Sequence, residues 1–381
     1  MKRYEEFVLT ADKGITFEVS KEISGKLIIR ARKIVSDIVY SELPTVLAGE
    51  YANVLSVYTD KDGHKAVVPH GWTVSGVPNE NIIWGKNKGL VIYNIPKSKV
   101  NGIDWQNSDV IETLMCTYDQ YVWTPVGLLE ANGTLDGIHF NEKFGRMNYK
   151  DINFSYKRDY EPLIGELLLQ KESVDKYDGY YSSRYNISKD EKTGKPRSVK
   201  GAYPWTHINF PTAKKVASSS ILEGGYRMAT HLMYGAEYDT REEWALETGT
   251  ITYRELAGDS TKFGHYCDDF DDSFYEIEDE MSRNLKIVPV NSTELSDSRS
   301  NTDVLFPWDK IVKTGEDGCI NNIYGFAGNV SEWTQERTSD LRYTVRGGRY
   351  NYNYNSVDLH CESNPKRRNK GIGFRTTLYI E

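Results

Sequence analysis

The chain has 381 residues, of which 39% are hydrophobic and 27% charged, and it carries a net charge of −8. This balance describes a soluble globular chain with room for two domains rather than a disordered one. With no basic stripe, no apolar run of membrane-spanning length and no CxxC pair, the sequence argues against nucleic-acid binding, a membrane span and a zinc ribbon.

In chain order, the opening MKRYEEFVLTADKG places Glu5 and Glu6 where a secretory signal needs apolar residues, so no signal peptide is expected. FVLTADKGITFEVS and KLIIRARKIV alternate as strands, and residues 1–64 are expected to form a small β-rich N-terminal unit. A DG turn at Asp62-Gly63 leads into a strand at 66–68; the Asp60/Asp62/Gly63 spacing also echoes a calcium loop without its later ligands. GLVIYNI (89–95) and QYVWTPVGLL (120–129) are predicted strands, rich in β-branched and aromatic residues. The polar stretch 130–170 reads as an insertion.

A helix is predicted after Phe210-Pro211-Thr212, since Pro suits a first helical turn. A second is predicted in YDTREEWALETG, capped by Asp239 or Thr240 and stopped by Gly249. The acidic run 267–280 reads as a solvated loop. Four dispersed cysteines (Cys116, Cys267, Cys319, Cys361) are expected as reduced, partly buried thiols. Aromatics make up 12% of the chain and Tyr (27) outnumbers Phe (12), a bias that suits contact surfaces.

Five segments in order carry a resemblance: DGYYSSRYNIS (178–188), YPWTHINFPTAKKVAS, YRMATHLMYGAEYDTREEWALETG, INNIYGFAGNVSEWTQE (320–336), and the pair RGGRY (346–350) with GIGFR (371–375). Together they resemble the formylglycine-generating enzyme (sulfatase-modifying factor) family. The resemblance spans 65–381, with insertions near 130–170 and 255–300. It implies an α+β class and a C-type-lectin-like fold after the N-terminal unit. Trp333 and Arg375 are expected inside that fold, and Gly347 and Gly348 in a tight turn.

The enzymes of this family hold copper with two cysteines after the GG marker. The matching positions here are Tyr352 and Val357, which cannot ligate copper. Cys361 is a lone thiol, and its strand neighbour His360 would face the other way. Seven scattered histidines form no HxxxH pair, which argues against the iron sulfoxide synthase branch. A non-enzymatic branch remains: variable proteins of diversity-generating retroelements and phage receptor-binding proteins. On that resemblance the chain is expected to be a ligand- or receptor-binding protein of a virion tail or cell-associated structure, cytoplasmic on synthesis. A protein or glycan on a cell surface is the expected partner, and the N-terminal unit a site of homo-oligomer formation. The alternatives are an oxidoreductase of the formylglycine-generating type with displaced catalytic groups, or a structural virion subunit.

The expected contact residues are Arg349, Tyr350, Asn351, Tyr352, Asn353, Tyr354, Asn355, Ser356, Asp358, His360, Ser363, Asn364, Arg367 and Arg368. Tyr offers rigid amphipathic area and Asn or Ser adaptable hydrogen bonds, as in antibody loops. These types also fit randomised adenine codons, although a fixed polar strand has the same composition. In a strand, period two would put Tyr350, Tyr352 and Tyr354 on one face. The adjoining KRRNK (366–370) reads equally as a steering patch or a solvated turn. The chain is expected to need no cofactor. The resemblance does imply one calcium option, Gly328 and Val330 with the Glu332 carboxylate, set against a metal-free structural loop.

Overall fold

A computed structural model of the chain describes residues 40–126, 134–135, 138–139, 166–223, 226–257, 263–265, 311–339, 342–350, 357 and 360–381. Two compact units divide between Asp37 and Ile38, and the described residues all belong to the second. Most of both expected insertions and the acidic run lie outside the described residues. The described part is mixed α and β, with two larger sheets, several two-stranded hairpins and few helices.

The first difference from expectation is the domain boundary. Ser56–Thr59 pairs antiparallel with Lys65–Val68 across residue 64, and Val46, Ala52 and Leu55 are buried with Val67 and Val74 in one apolar cluster. Residues 40–64 carry too much apolar surface to stand apart, so they belong to the larger unit. The Asp62-Gly63 turn forms as predicted. Asp60 Oδ1 accepts the N–H groups of Asp62 and His64 at 2.9 Å, and Gly63 takes a φ of 89°. Asp60 Oδ2 accepts the Ile83 N–H at 3.0 Å, so this carboxylate serves the turn and its neighbour.

A seven-stranded antiparallel sheet runs in the order Ser219–Glu223, Tyr226–Leu232, Thr376–Ile380, Gly179–Ser183, Gln120–Pro125, Val91–Tyr93, Thr73–Val74. Strands are present at the positions predicted from GLVIYNI and QYVWTPVGLL, and these, like the neighbouring strand Gly179–Ser183, are buried along their length. The C-terminal strand therefore lies in the middle of the sheet, where its loss would unpair two neighbours at once.

A second sheet has the order His360–Ser363, Arg342–Arg346, Ser331–Ser339, Ile372–Phe374; its last pair is parallel, with Ser331 opposite Ile372. The chain leaves this sheet at Phe374 and enters the larger one at Thr376. Arg375 is the hinge between them. It is fully buried, where a charge needs partners.

Asn209 caps the helix Phe210–Ala217 by accepting the Thr212 N–H at 3.1 Å, with Pro211 in its first turn as predicted. The second predicted helix starts earlier, at Gly235, and runs to Glu247. Its cap is not Asp239 or Thr240. Glu237 reaches back to accept the Tyr234 N–H at 2.8 Å, one half of a capping box. Among the described residues four further helices, Lys97–Val100, Ser108–Thr117, Glu166–Tyr177 and Tyr253–Ala257, had no predicted counterpart. Among the described residues no helix is long and apolar enough to cross a membrane.

Candidate ligand-binding surface

The segment 346–375 begins and ends on a buried arginine. At its start, Arg346 closes the strand Arg342–Arg346. Its Nε donates to Glu336 Oε2 at 2.7 Å, and its Nη2 donates to Asp239 Oδ1 at 2.5 Å and Glu336 Oε1 at 3.2 Å. The guanidinium also lies 4.8 Å from the Tyr238 ring centroid. At its end, Arg375 Nε donates to Glu332 Oε1 at 2.9 Å. The other nitrogens reach the carbonyls of Ser183 (2.6 Å), Tyr324 (2.7 Å) and Gly325 (3.1 Å). Burial lowers the Arg375 pKa from its ordinary value, against the opposing pull of Glu332.

Two apolar anchors lie inside those arginines. Tyr350 is 1% exposed against Ile311 and Val330, and its N–H donates to Asn329 O at 3.1 Å. Val357 is fully buried in the cluster that holds Phe326, Ala327 and Trp244. The Val357 carbonyl accepts from Tyr238 Oη at 3.2 Å. Gly347, at φ 71°, turns the chain between arginine and anchor; a Cβ there would sit 3.0 Å from Tyr238 Oη. Ser331 Oγ holds the Gly347 carbonyl at 3.1 Å. Gly348, by contrast, needs no positive φ.

This arrangement sorts the expected contact residues. Asn351, Tyr352, Asn353, Tyr354, Asn355, Ser356 and Asp358 lie outside the described residues. Tyr350 is corrected from a contact to an anchor, because its ring fills the core; the three-tyrosine face cannot include it. Ser363 is likewise corrected, being 3% exposed on an edge strand opposite Tyr343. His360, on the same strand as Ser363, pairs through its backbone with Arg346 of the neighbouring strand. Asn364 is exposed and accepts the Lys366 N–H at 3.0 Å, forming a turn. Arg349 and Arg367 are half-buried and Arg368 is exposed.

The calcium option does not fit these residues. Glu332 Oε1 already accepts from Arg375 and, at 2.9 Å, from Asn186 Nδ2, while Oε2 lies 3.5 Å from Arg241 Nη1. Val330 turns its side chain into the Tyr350 cluster, and Gly328 takes a φ of 76° beside Asn329 at 54°. A dication at Glu332 would sit against two guanidiniums, one of them sandwiched at 4.2 and 4.3 Å by the rings of Tyr238 and Phe326.

Three described cysteines are free thiols, Cys116 and Cys361 exposed and Cys319 half-buried. Burial pushes the Cys319 thiol up to about 11. The residues that sequence reasoning missed are those holding the anchors: Tyr238, Asp239, Arg241 and Glu336. All four are at most 3% exposed. For the first three the only sequence signal is a helix, YDTREEWAL, too rich in charge to have been read as buried; Glu336 lies on the strand Ser331–Ser339.

No family model matches the chain, so membership of the formylglycine-generating enzyme family receives no support from that comparison. No curated protein matches its sequence. Among solved structures, Treponema denticola variable protein 1 is similar at 12% identity, over 69% of this chain and 95% of that one, with a TM-score of 0.33. A likeness that distant does not establish a shared fold.

Proposed function

We propose that the chain is a non-enzymatic binding protein with a C-type-lectin-like fold, of the kind of retroelement variable proteins and phage tail adhesins, whose contact segment is 351–356 with its flanks. The observation that carries this reading is how that segment is held. Arg346, Tyr350, Val357 and Arg375 fix its two sides, and the partners described for the two arginines and the tyrosine ring, Asp239, Glu336, Glu332, Ile311 and Val330, all lie outside it. None of these described partners is itself a residue of 351–356. Their composition, alternating Asn and Tyr before Ser356, supplies rigid aromatic area and adaptable polar groups. Val357, at a position where copper enzymes of the resembling family carry a thiolate, is a buried aliphatic anchor instead.

On this reading the partner is a receptor on a cell surface, the unit Met1–Asp37 serves attachment or self-association, and the protein acts on a virion tail or cell-associated structure. The test applies labelled full-length protein to panels of bacterial cells and to protein and glycan arrays, beside a Tyr352→Ala/Tyr354→Ala variant. The variant is expected to keep the wild-type unfolding midpoint and lose at least tenfold in affinity, as removal of contact tyrosines does. Equal binding by both proteins overturns the proposal. So does oxidation of a cysteine-containing peptide by the copper-loaded chain.

A further inference from the structure

We infer that the partner is a protein whose contact face is rich in carboxylates, drawn to a rigid basic rim beside the segment 351–356; this rests on the binding reading above. The chain as a whole carries −8, yet residues 363–370, SNPKRRNK, hold four cations and no acid. The local excess is opposite in sign to the whole.

The rim is built into the fold. Pro365 O accepts the Phe210 N–H and Asn369 O the His207 N–H, each at 3.0 Å, so the loop is tied to the start of the helix Phe210–Ala217. Asn364 O accepts the Arg367 N–H at 2.9 Å, and the buried Asn369 side chain accepts the Gly371 N–H at 2.6 Å. Lys366 and Arg368 stand exposed from this pinned backbone, with no carboxylate within ion-pair distance among the described residues. Arg349, from the leading side of the segment, lies across Gly371: a Cβ there would meet its Cδ at 2.8 Å. Both flanks of 351–356 therefore bring cations to one place.

Fixed cations on a rim steer oppositely charged partners and set register, while aromatic contacts in the centre supply affinity. Of the two exposed cations, Arg368 carries a guanidinium whose fork matches an Asp or Glu carboxylate, and Lys366 adds a second charge two residues away. That spacing along a loop suits carboxylates spread over a surface. The Tyr/Asn composition between the two flanks is that of protein-recognising loops. These features favour an acidic protein face over a single sugar acid.

The experiment pans a phage-displayed random peptide library against the immobilised full-length chain, with an array of acidic glycans as the second arm. Each is repeated with Lys366→Glu/Arg368→Glu, two exposed positions whose change should leave the urea midpoint in place. The expected winners are rich in Asp and Glu. They associate on the order of tenfold more slowly with the charge-reversed variant, and with the wild type as salt rises from about 50 to about 500 mM. Neutral winners, winners indifferent to charge reversal, an absence of any enrichment, or acidic glycans bound in place of peptides overturn the inference. Winners lost to Tyr352→Ala/Tyr354→Ala but indifferent to charge reversal leave the binding reading standing while this one fails. Winners lost to charge reversal but indifferent to the tyrosines remove both.

Discussion

Replacing Glu332 with Gln keeps the shape of the side chain and removes its charge. In the wild type this carboxylate lies between Arg375 (2.9 Å) and Arg241 (3.5 Å), all three at most 2% exposed. After the change Arg375 keeps three backbone carbonyls, so it stays hydrogen-bonded. Arg241 keeps the ring faces of Tyr238 and Phe326, an attraction of about 2 kcal/mol when desolvated, and the weaker pull of the Glu242 carboxylate. Removing one partner of a buried ion pair costs roughly 3–5 kcal/mol, and the retained contacts of Arg375 place the expected loss near about 3 kcal/mol. Urea unfolding followed by the fluorescence of the buried Trp123, Trp244 and Trp333 reads this directly. The second variant, Glu332→Gln/Arg241→Met, relieves the orphaned charge and should recover most of the loss. A loss below about 1 kcal/mol for the single variant would refute the reasoning. A wild-type midpoint that falls on adding a calcium chelator, with no such fall in Glu332→Gln, would show a cation at Glu332 and refute it equally.

Other outcomes follow from the same geometry. Burial pushes the Asp317 carboxyl up to about 6, above its unfolded value, so the folded state holds the proton through the interval between them. That contribution favours folding below the unfolded value and is lost as pH rises through about 6. Asp317→Asn should therefore be more stable than wild type at neutral pH, by on the order of 1–3 kcal/mol, with no advantage near pH ~4, read from urea midpoints across that range. Glu243, pushed up to about 9 by burial and then by Asp239 and Glu247, is common to both proteins and cancels in the comparison. Tyr350→Ala should cost about 3 kcal/mol, because its ring is buried against Ile311 and Val330, and on the proposed contact role Tyr352→Ala should cost less than about 0.5; equal losses in thermal denaturation would contradict the anchor assignment. Gly235→Ala would put a methyl 2.1 Å from the Glu336 carboxyl carbon and push it off Arg346, with a loss of at least about 2 kcal/mol in the same assay.

What could be read from the sequence was local. β-Branched and aromatic runs at 91–93 and 120–125 were legible as strands because those side chains fit a pleated, buried surface. Phe210-Pro211-Thr212 was legible as a helix start because Pro fits a first helical turn, while the cap itself, Asn209, was not read. What escaped depends on partners far apart in the chain. Asp239 looked like a cap and serves as the ion-pair partner of Arg346, 107 residues away. Glu332 looked like a metal ligand because the residue that occupies it, Arg375, is 43 positions on. The helix Gly235–Glu247 broke the rule that a charged face is a wet one: Glu237, Asp239, Arg241 and Glu242 are all buried. The boundary after residue 64 failed for a related reason, since the pairing of Thr59 with Lys65 spans it.

The long-range ion pairs bear on function as well as on fold. A binding loop can change its side chains only if the energy that fixes its ends comes from elsewhere. Around 351–356, the described sources are Asp239 and Glu336 for Arg346, Glu332 for Arg375, and Ile311 with Val330 for Tyr350. Buried charge pairs contribute little net stability compared with apolar packing, but they penalise any displacement that separates them. Such a frame holds its geometry against changes in the loop more strictly than apolar contacts, which can slide and repack. Replacing both Arg346 and its two acidic partners with apolar residues should therefore leave the chain folded while letting the ends of the segment drift. The cost would be paid in affinity more than in stability, a separation that simple destabilisation of the frame would not produce.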